Sequence, residues 1–469
     1  MTEQQDDTGD MGPSRRSFMA LTALAAAVPT LMGGATAAEA ASSGSDRSGS
    51  DRSGSELKAG AGKAVFTPSA AILPLDKFTS VHDDLHARVL LLESAGRRIA
   101  LVVLDLTSVS AEAIGLIRTA VTGATGVTAA DIMVTVTHCF SAPHVAASTS
   151  SASAAAYVRN IVAAAKSAAE DAANGLRSAR IGYGEGRADV NVNRNVSTAD
   201  GWWLGVNEQL PSDKGVYVAR VDDLDGNPLA LLTNYNVQSC VMQDSVMADG
   251  NLPITADLAG AAVAHVEEAY PDAVGFWLVG ACGDQFPGLR AKRYTIDKDG
   301  HWTYGVDLKD AGFALLETQG ERIGNEIVRV SETITRYASG SRAPVRLVTD
   351  SVTTTQITGP GASAPVKTAT FSPGDSAEVP LWVFRVGDIA FAGVSPELST
   401  STARAIREAS PFTGTFVMSM FEGGAKNMPD RWNYEHFTYE ALDGFYIEGT
   451  AEKVAARIER TVKSLKSLK

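Results

Sequence analysis

The sequence has little cysteine, few aromatic residues and no excess of positive charge. Only Cys139, Cys240 and Cys282 occur among 469 residues, so at most one bridge can form and a disulfide framework is excluded. None of them is in C-x-x-C spacing, which argues against a structural zinc knot. Lysine and arginine number 41 against 54 acidic residues, a formal charge of −13. That balance implies no wide basic face, so no nucleic acid and no anionic bilayer is expected as a partner. The motifs G-x-S-x-G, H-E-x-x-H and G-x-x-x-x-G-K are absent, so a hydrolase elbow, a zincin helix and a phosphate loop are unsupported. Gly182-Tyr183-Gly184-Glu185-Gly186 lacks dinucleotide spacing and reads as a turn. What remains is an ordinary globular composition, 45% hydrophobic and 20% charged, ample for a large core.

The first 40 residues read as an address. Ser14-Arg15-Arg16-Ser17-Phe18-Met19 precedes a weakly apolar stretch from Ala20 to Met32 and a small-residue cleavage pattern, Ala38-Glu39-Ala40. This layout is similar to a twin-arginine export signal, too short and too broken by Pro29 to span a bilayer. The expectation is a secreted protein with no transmembrane segment in its mature chain. Residues 41–57 carry a repeated Ser-Gly-Ser-Asp-Arg unit without apolar side chains and read as a flexible linker. The folded domain is expected over residues 58–469.

Within that domain, β-rich apolar runs alternate with helical patterns. Ile99–Leu106, Ile132–Thr137, Pro228–Tyr235, Ala273–Val279 and Thr413–Met420 read as strands, and Trp382–Val394 as a strand pair turned at Gly387-Asp388. Ala111–Val121, Ser153–Leu176, Asp257–Tyr270, Gly312–Thr333, Leu398–Ser410 and Thr450–Ser467 read as helices. The fold class is therefore α/β, a mixed or mostly parallel sheet flanked by helices. Ligands in open α/β sheets bind beyond the carboxyl ends of strands. Strand ends here run into polar turns that begin at His138, Asn236, Gly280, Ser395 and Phe421, and all three cysteines fall in such turns.

Several blocks carry a family resemblance. They are Ala59 to Pro68, His82-Asp83-Asp84-Leu85-His86-Ala87-Arg88, Leu104-Asp105-Leu106 and Thr137-His138-Cys139-Phe140-Ser141-Ala142-Pro143. Asn193-Arg194, Thr255-Ala256-Asp257-Leu258, Gly280 to Asp284, Ser395-Pro396-Glu397 and Tyr439-Glu440-Ala441 follow in order. Together they resemble the catalytic domain of the neutral ceramidase family over about residues 58–469, without that family's C-terminal β-sandwich. The resemblance implies a hydrolase of N-acyl amides with a zinc ion held by two histidines, a glutamate and a tyrosine. Residue by residue, the metal ligands His138 and Glu397 are retained. Gln238 stands at the second histidine ligand, Asn427 near the tyrosine, Phe140 at a nearby histidine and Phe286 at the serine. A neutral amide is a poor zinc ligand, so a thiolate from Cys139 or Cys240 is the remaining way to complete the set.

A second chemistry is readable from the residues alone. Asp284, Glu397 and Glu422 lie at or near strand ends, and paired carboxylates beside aromatic platforms suit metal-independent glycoside hydrolysis, Glu397 acting with Asp284 or Glu422. The catalytic candidates are thus Asp284, Glu397, Glu422 and His138; the substrate-binding candidates are Gln238, Asn427, His144, Arg290, Trp203 and Trp432. The expected partner is a small-molecule, lipid or glycan substrate. A non-catalytic binding protein on the same scaffold is the third reading.

Overall fold

The computed structural model describes residues 56–145, 150–424 and 426–468. The expected export leader and residues 41–55 of the expected linker lie outside them. The end of that linker already belongs to the folded body, since Leu57 is fully buried and its carbonyl accepts a hydrogen bond from Ala179 N.

In chain order the first half contains β1 (Lys58–Val65), β2 (His86–Ser94), β3 (Arg97–Leu104), α1 (Ala111–Thr125), β4 (Ile132–Val136), α2 (Ala152–Asn174), β5 (Arg177–Arg187), β6 (Gly215–Asp223), β7 (Pro228–Tyr235), α3 (Asp257–Ala269), β8 (Val274–Val279) and α4 (Gly312–Thr333). The second half contains β9 (Val345–Thr358), β10 (Ser372–Val386), β11 (Ile389–Val394), α5 (Thr400–Ala409), β12 (Gly414–Met418) and α6 (Thr450–Ser467).

The large sheet runs β8-β7-β6-β5-β1-β2-β3-β4, with the short strand Tyr337–Ser339 attached to β5. It is mixed and mainly antiparallel; only β3 with β4 and β7 with β8 run parallel. The mostly parallel alternative therefore does not hold. A second sheet, β9-β10-β11-β12, is parallel only between β11 and β12.

Side-chain alternation explains how these sheets stack. In β3, Ala100, Val102 and Leu104 enter one core while Ile99, Leu101 and Val103 enter another. Such a strand is buried on both faces, which is why its sequence is a continuous apolar run. The first core lies between the large sheet and α1 to α4, the second between the two sheets, and the third between the second sheet and α5 and α6. The order of layers is helix, sheet, sheet, helix.

Glycine sets the helix–sheet spacing. A Cβ on Gly60 would meet Ala172 O at 2.0 Å and one on Gly62 would meet Ala168 O at 2.3 Å, so the alanine-rich α2 lies directly on β1. The same device accounts for the residues expected as a turn at Gly182–Gly186. They lie inside β5, where Gly184 and Gly186 face Val330 of α4 too closely for any side chain. Gly62→Val is expected to lower the unfolding free energy by about 1–3 kcal/mol or more, as overpacking does; an unchanged urea midpoint would contradict this contact.

The layers bring distant turns together. The two ends of the large sheet, β4 and β8, are in contact. Cys139 in the turn after β4 bridges to Ser239 in the turn after β7. Gly280 N donates to Tyr235 O, and Gly283 N donates to Leu398 O, so the turns after β8 and β11 join the same place. The fifth turn, after β12, folds back along β4 instead: Glu422 N donates to Val134 O.

Candidate active site

His138 follows β4 directly, with φ at +56°, a left-handed conformation that costs energy for a side chain of this size. Its Nδ1 lies 2.9 Å from Thr107 O. A carbonyl can only accept, so this contact places the ring proton on Nδ1 and leaves Nε2 as the inward-facing atom. Nε2 stands 3.2 Å from Glu397 Oε1, with no well-aligned hydrogen bond. Both residues are buried, at 3% and 7% exposure.

Glu397 opens a two-residue strand that pairs in parallel with Asn427–Met428, setting Glu397 opposite Asn427. Its Oε2 accepts a hydrogen bond from Gln238 Nε2 at 2.6 Å and lies 3.7 Å from Cys282 Sγ. Gln238 Oε1 in turn accepts from Arg194 Nη1 at 2.9 Å. That bond fixes the amide: its oxygen faces Arg194 and its nitrogen faces Glu397. Gln238 therefore acts as a donor that orients the carboxylate. Arg194 completes the chain through Nε, 2.6 Å from Glu440 Oε1, in an ion pair almost entirely removed from solvent.

Electrostatics follow from this packing. Burial alone would raise the pKa of Glu397, but its close contacts with His138, the Arg194 charge and the bond from Gln238 outweigh it and hold it at about 2. Glu397 is thus a carboxylate. Burial, reinforced by the neighbouring Glu397 charge, pushes the Cys282 thiol well above its ordinary range. The ligand-type atoms of His138, Cys282 and Glu397 all lie within 4.8 Å of one another. One nitrogen, one sulfur and one carboxylate oxygen fit a single tetrahedral ion of the zinc class, and three protein ligands leave a fourth position open, as catalytic sites do. This buried group could hold a metal ion.

The remaining expected residues divide clearly. Asp284 sits beside the centre, but its Oδ1 accepts from Thr400 N at 3.0 Å, Thr400 Oγ1 at 2.8 Å and Gln285 Nε2 at 3.0 Å. It ties the turn after β8 to the start of α5, and burial pushes its carboxyl up to about 7 against those bonds. Asn427 Oδ1 is buried without a partner. Glu422 is not paired with Glu397: it accepts from Val134 N in mid-β4 and pairs with Arg118 at 2.7 Å. Val134 precedes His138 by four residues, roughly 13 Å of extended chain. His144 is surface-exposed and bonded to Asp76 at 2.8 Å. Trp203 is fully buried edge-on to Trp302 and Tyr439, and Trp432 stacks on His436 at 4.2 Å. The thiol expected to complete the ligand set is neither Cys139, whose Sγ donates to Thr255 O at 3.1 Å, nor Cys240, which lies in the aromatic cluster around Phe286.

Cys282, Arg194 and Glu440 are the residues that sequence reasoning left out of the centre. Arg194 and Glu440 stood within quoted blocks, and Cys282 immediately precedes the Gly283-Asp284 pair. Phenyl rings close the centre: Phe140 lies edge-on to His138 at 4.6 Å, and Phe286 lies 4.9 Å from the Arg194 guanidinium.

This arrangement stands on a known scaffold. Over 88% of the chain, the structure superposes on neutral ceramidase from Pseudomonas aeruginosa with a TM-score of 0.67 and 17% identity, covering 74% of that chain. A ceramidase solved as a complex with C2 gives a TM-score of 0.68 at 16% identity, again over 88% of this chain and 75% of the other. The fold is that of the neutral ceramidases. No protein-family model matches the sequence, and no curated protein matches it either. Among the described residues no helix is long and apolar enough to cross a membrane.

Proposed function

We propose that this protein is a metal-assisted hydrolase of N-acyl amides, exported by its leader. The observation that carries the reading is the buried convergence of His138 Nε2, Cys282 Sγ and Glu397 at the joined strand ends. His138, Cys282 and Glu397 would hold the ion. A divalent ion of the zinc class bound there lowers the pKa of water toward neutrality and polarises a carbonyl oxygen. The chain's own residues prepare that chemistry. The Thr107 carbonyl holds the His138 ring with Nε2 inward, the tautomer a ligand needs. Gln238, oriented by Arg194, holds Glu397 from its other side. Phe140 and Phe286 limit water, which strengthens each charge interaction. With Phe286 where the family has a serine, no hydroxyl at that position can attack, so water is the nucleophile in this reading. The ceramidase scaffold supports an acyl amide as the bond cleaved.

Purified protein should turn over an N-acyl amide, and a chelator should abolish that turnover. Cys282→Ser should weaken metal binding by about 100-fold or more, since it removes one of three ligands. Chelator-insensitive cleavage of aryl glycosides would replace this reading with the carboxylate-pair chemistry. Absence of turnover across acyl amides and glycosides alike would replace it with a binding protein.

A further inference from the structure

Arg290 carries a positive charge that the centre does not use. It is 95% buried by its 5% exposure, yet no aspartate or glutamate among the described residues pairs with it. Its Nε donates to Cys240 O at 3.1 Å and its Nη2 to Gln243 Oε1 at 2.9 Å, both neutral acceptors. Nη1 is buried and has no partner. The guanidinium lies over the rings of Phe286 at 4.2 Å and Tyr294 at 5.3 Å. Aromatic faces offset part of the cost of burying a cation, but they leave the Nη1 protons unmatched. Arg194 lies over the same Phe286 ring, and its Nη2 is also buried without a partner. Its charge, unlike that of Arg290, is balanced by Glu440. The turn that receives Arg290 at Cys240 also carries Gln238, the donor to Glu397. An unbalanced guanidinium is thus joined to the proposed reacting centre through the Phe286 ring and the Gln238–Cys240 turn, and a guanidinium fork matches a planar oxyanion.

We propose that Arg290, with Arg194 on the same ring, recognises a carboxylate on the substrate, so that the amide cleaved is that of an N-acyl amino acid rather than of a neutral lipid. This rests on the amide-hydrolase reading for the bond cleaved, but the recognition itself is a binding property. The test is calorimetric titration of the unmodified protein with N-hexanoylglycine and with its uncharged carboxamide, and with inorganic phosphate. The acid should bind at least about tenfold more tightly than the carboxamide and more tightly than phosphate. Arg290→Met, with its circular dichroism unchanged, should erase the preference, and Arg290→Lys should restore only part of it. Equal affinity for acid and carboxamide would overturn the proposal without need of any variant. An undiminished preference in Arg290→Met would do so as well, and tighter binding of phosphate would overturn the carboxylate assignment. Retained acid preference without hydrolysis of either compound would sink only the amide-hydrolase reading. Equal hydrolysis and equal binding of both would sink only the carboxylate site.

Discussion

Replacing Glu397 by glutamine is expected to lower kcat/KM for an acyl amide by about 1,000-fold or more and to abolish binding of the proposed metal ion. The side chain keeps its shape, so the effect isolates the charge. Glu397 is the anion that faces His138 Nε2, receives the Gln238 amide proton and lies against Cys282. A glutamine offers at best one neutral oxygen to all three, and its own NH2 group opposes the Gln238 donor. The backbone pairing of Glu397 with Asn427 does not depend on the carboxylate, so the fold should persist. The check is kcat/KM alongside bound metal per chain, with circular dichroism as the control. Activity within tenfold of the unmodified protein would mean that the carboxylate is not at the reacting centre.

Asp105→Ala is expected to have the largest effect on stability, about 3–5 kcal/mol, because it removes the close partner of a buried guanidinium and leaves it only Glu267, at 4.0 Å. Arg88 Nη1 lies 2.7 Å from Asp105 Oδ2, and the two side chains are 4% and 1% exposed. The same carboxylate accepts the backbone N–H of His86, pinning β2 to the end of β3. Urea unfolding measures the loss. Arg88→Met combined with Asp105→Leu should recover part of it by removing the stranded charge. A single-variant loss below about 1 kcal/mol would show that the pair is not buried as described.

These two residues illustrate what the sequence could and could not disclose. The Asp105 and Arg88 blocks supported the scaffold resemblance, and their role is structural. Strands and helices with strong apolar periodicity were legible: Pro228–Tyr235, Gly312–Thr333 and Thr450–Ser467 match the structure end to end. β5 was not, because alternating glycines that let α4 approach look like a turn when no helix is in view. Long antiparallel neighbours such as β9, with half-exposed polar faces, lack the apolar run that marked β3.

The candidate site was legible to the extent that polar turns at strand ends mark a crevice. His138 and Glu397 emerged that way, and the structure sets them in contact. Glu422 has the same signature but points back along β4, and direction is a property of the sheet, invisible in a linear string. Choosing among three cysteines needed coordinates too. Cys282 meets a carboxylate 115 positions away, while Cys139 meets a backbone carbonyl. The Arg194–Glu440 pair spans 246 positions, so neither block alone announces a charge pair.

The proposed function depends on one ion bound through nitrogen, carboxylate and sulfur at the joined turns. Substituting cobalt(II) into the purified protein and recording its absorption spectrum tests this directly. One cobalt per chain in tetrahedral coordination is expected, with a thiolate-to-cobalt charge-transfer band that disappears in Cys282→Ser. Failure to bind stoichiometric cobalt, or a bound cobalt whose spectrum lacks that band, would contradict it.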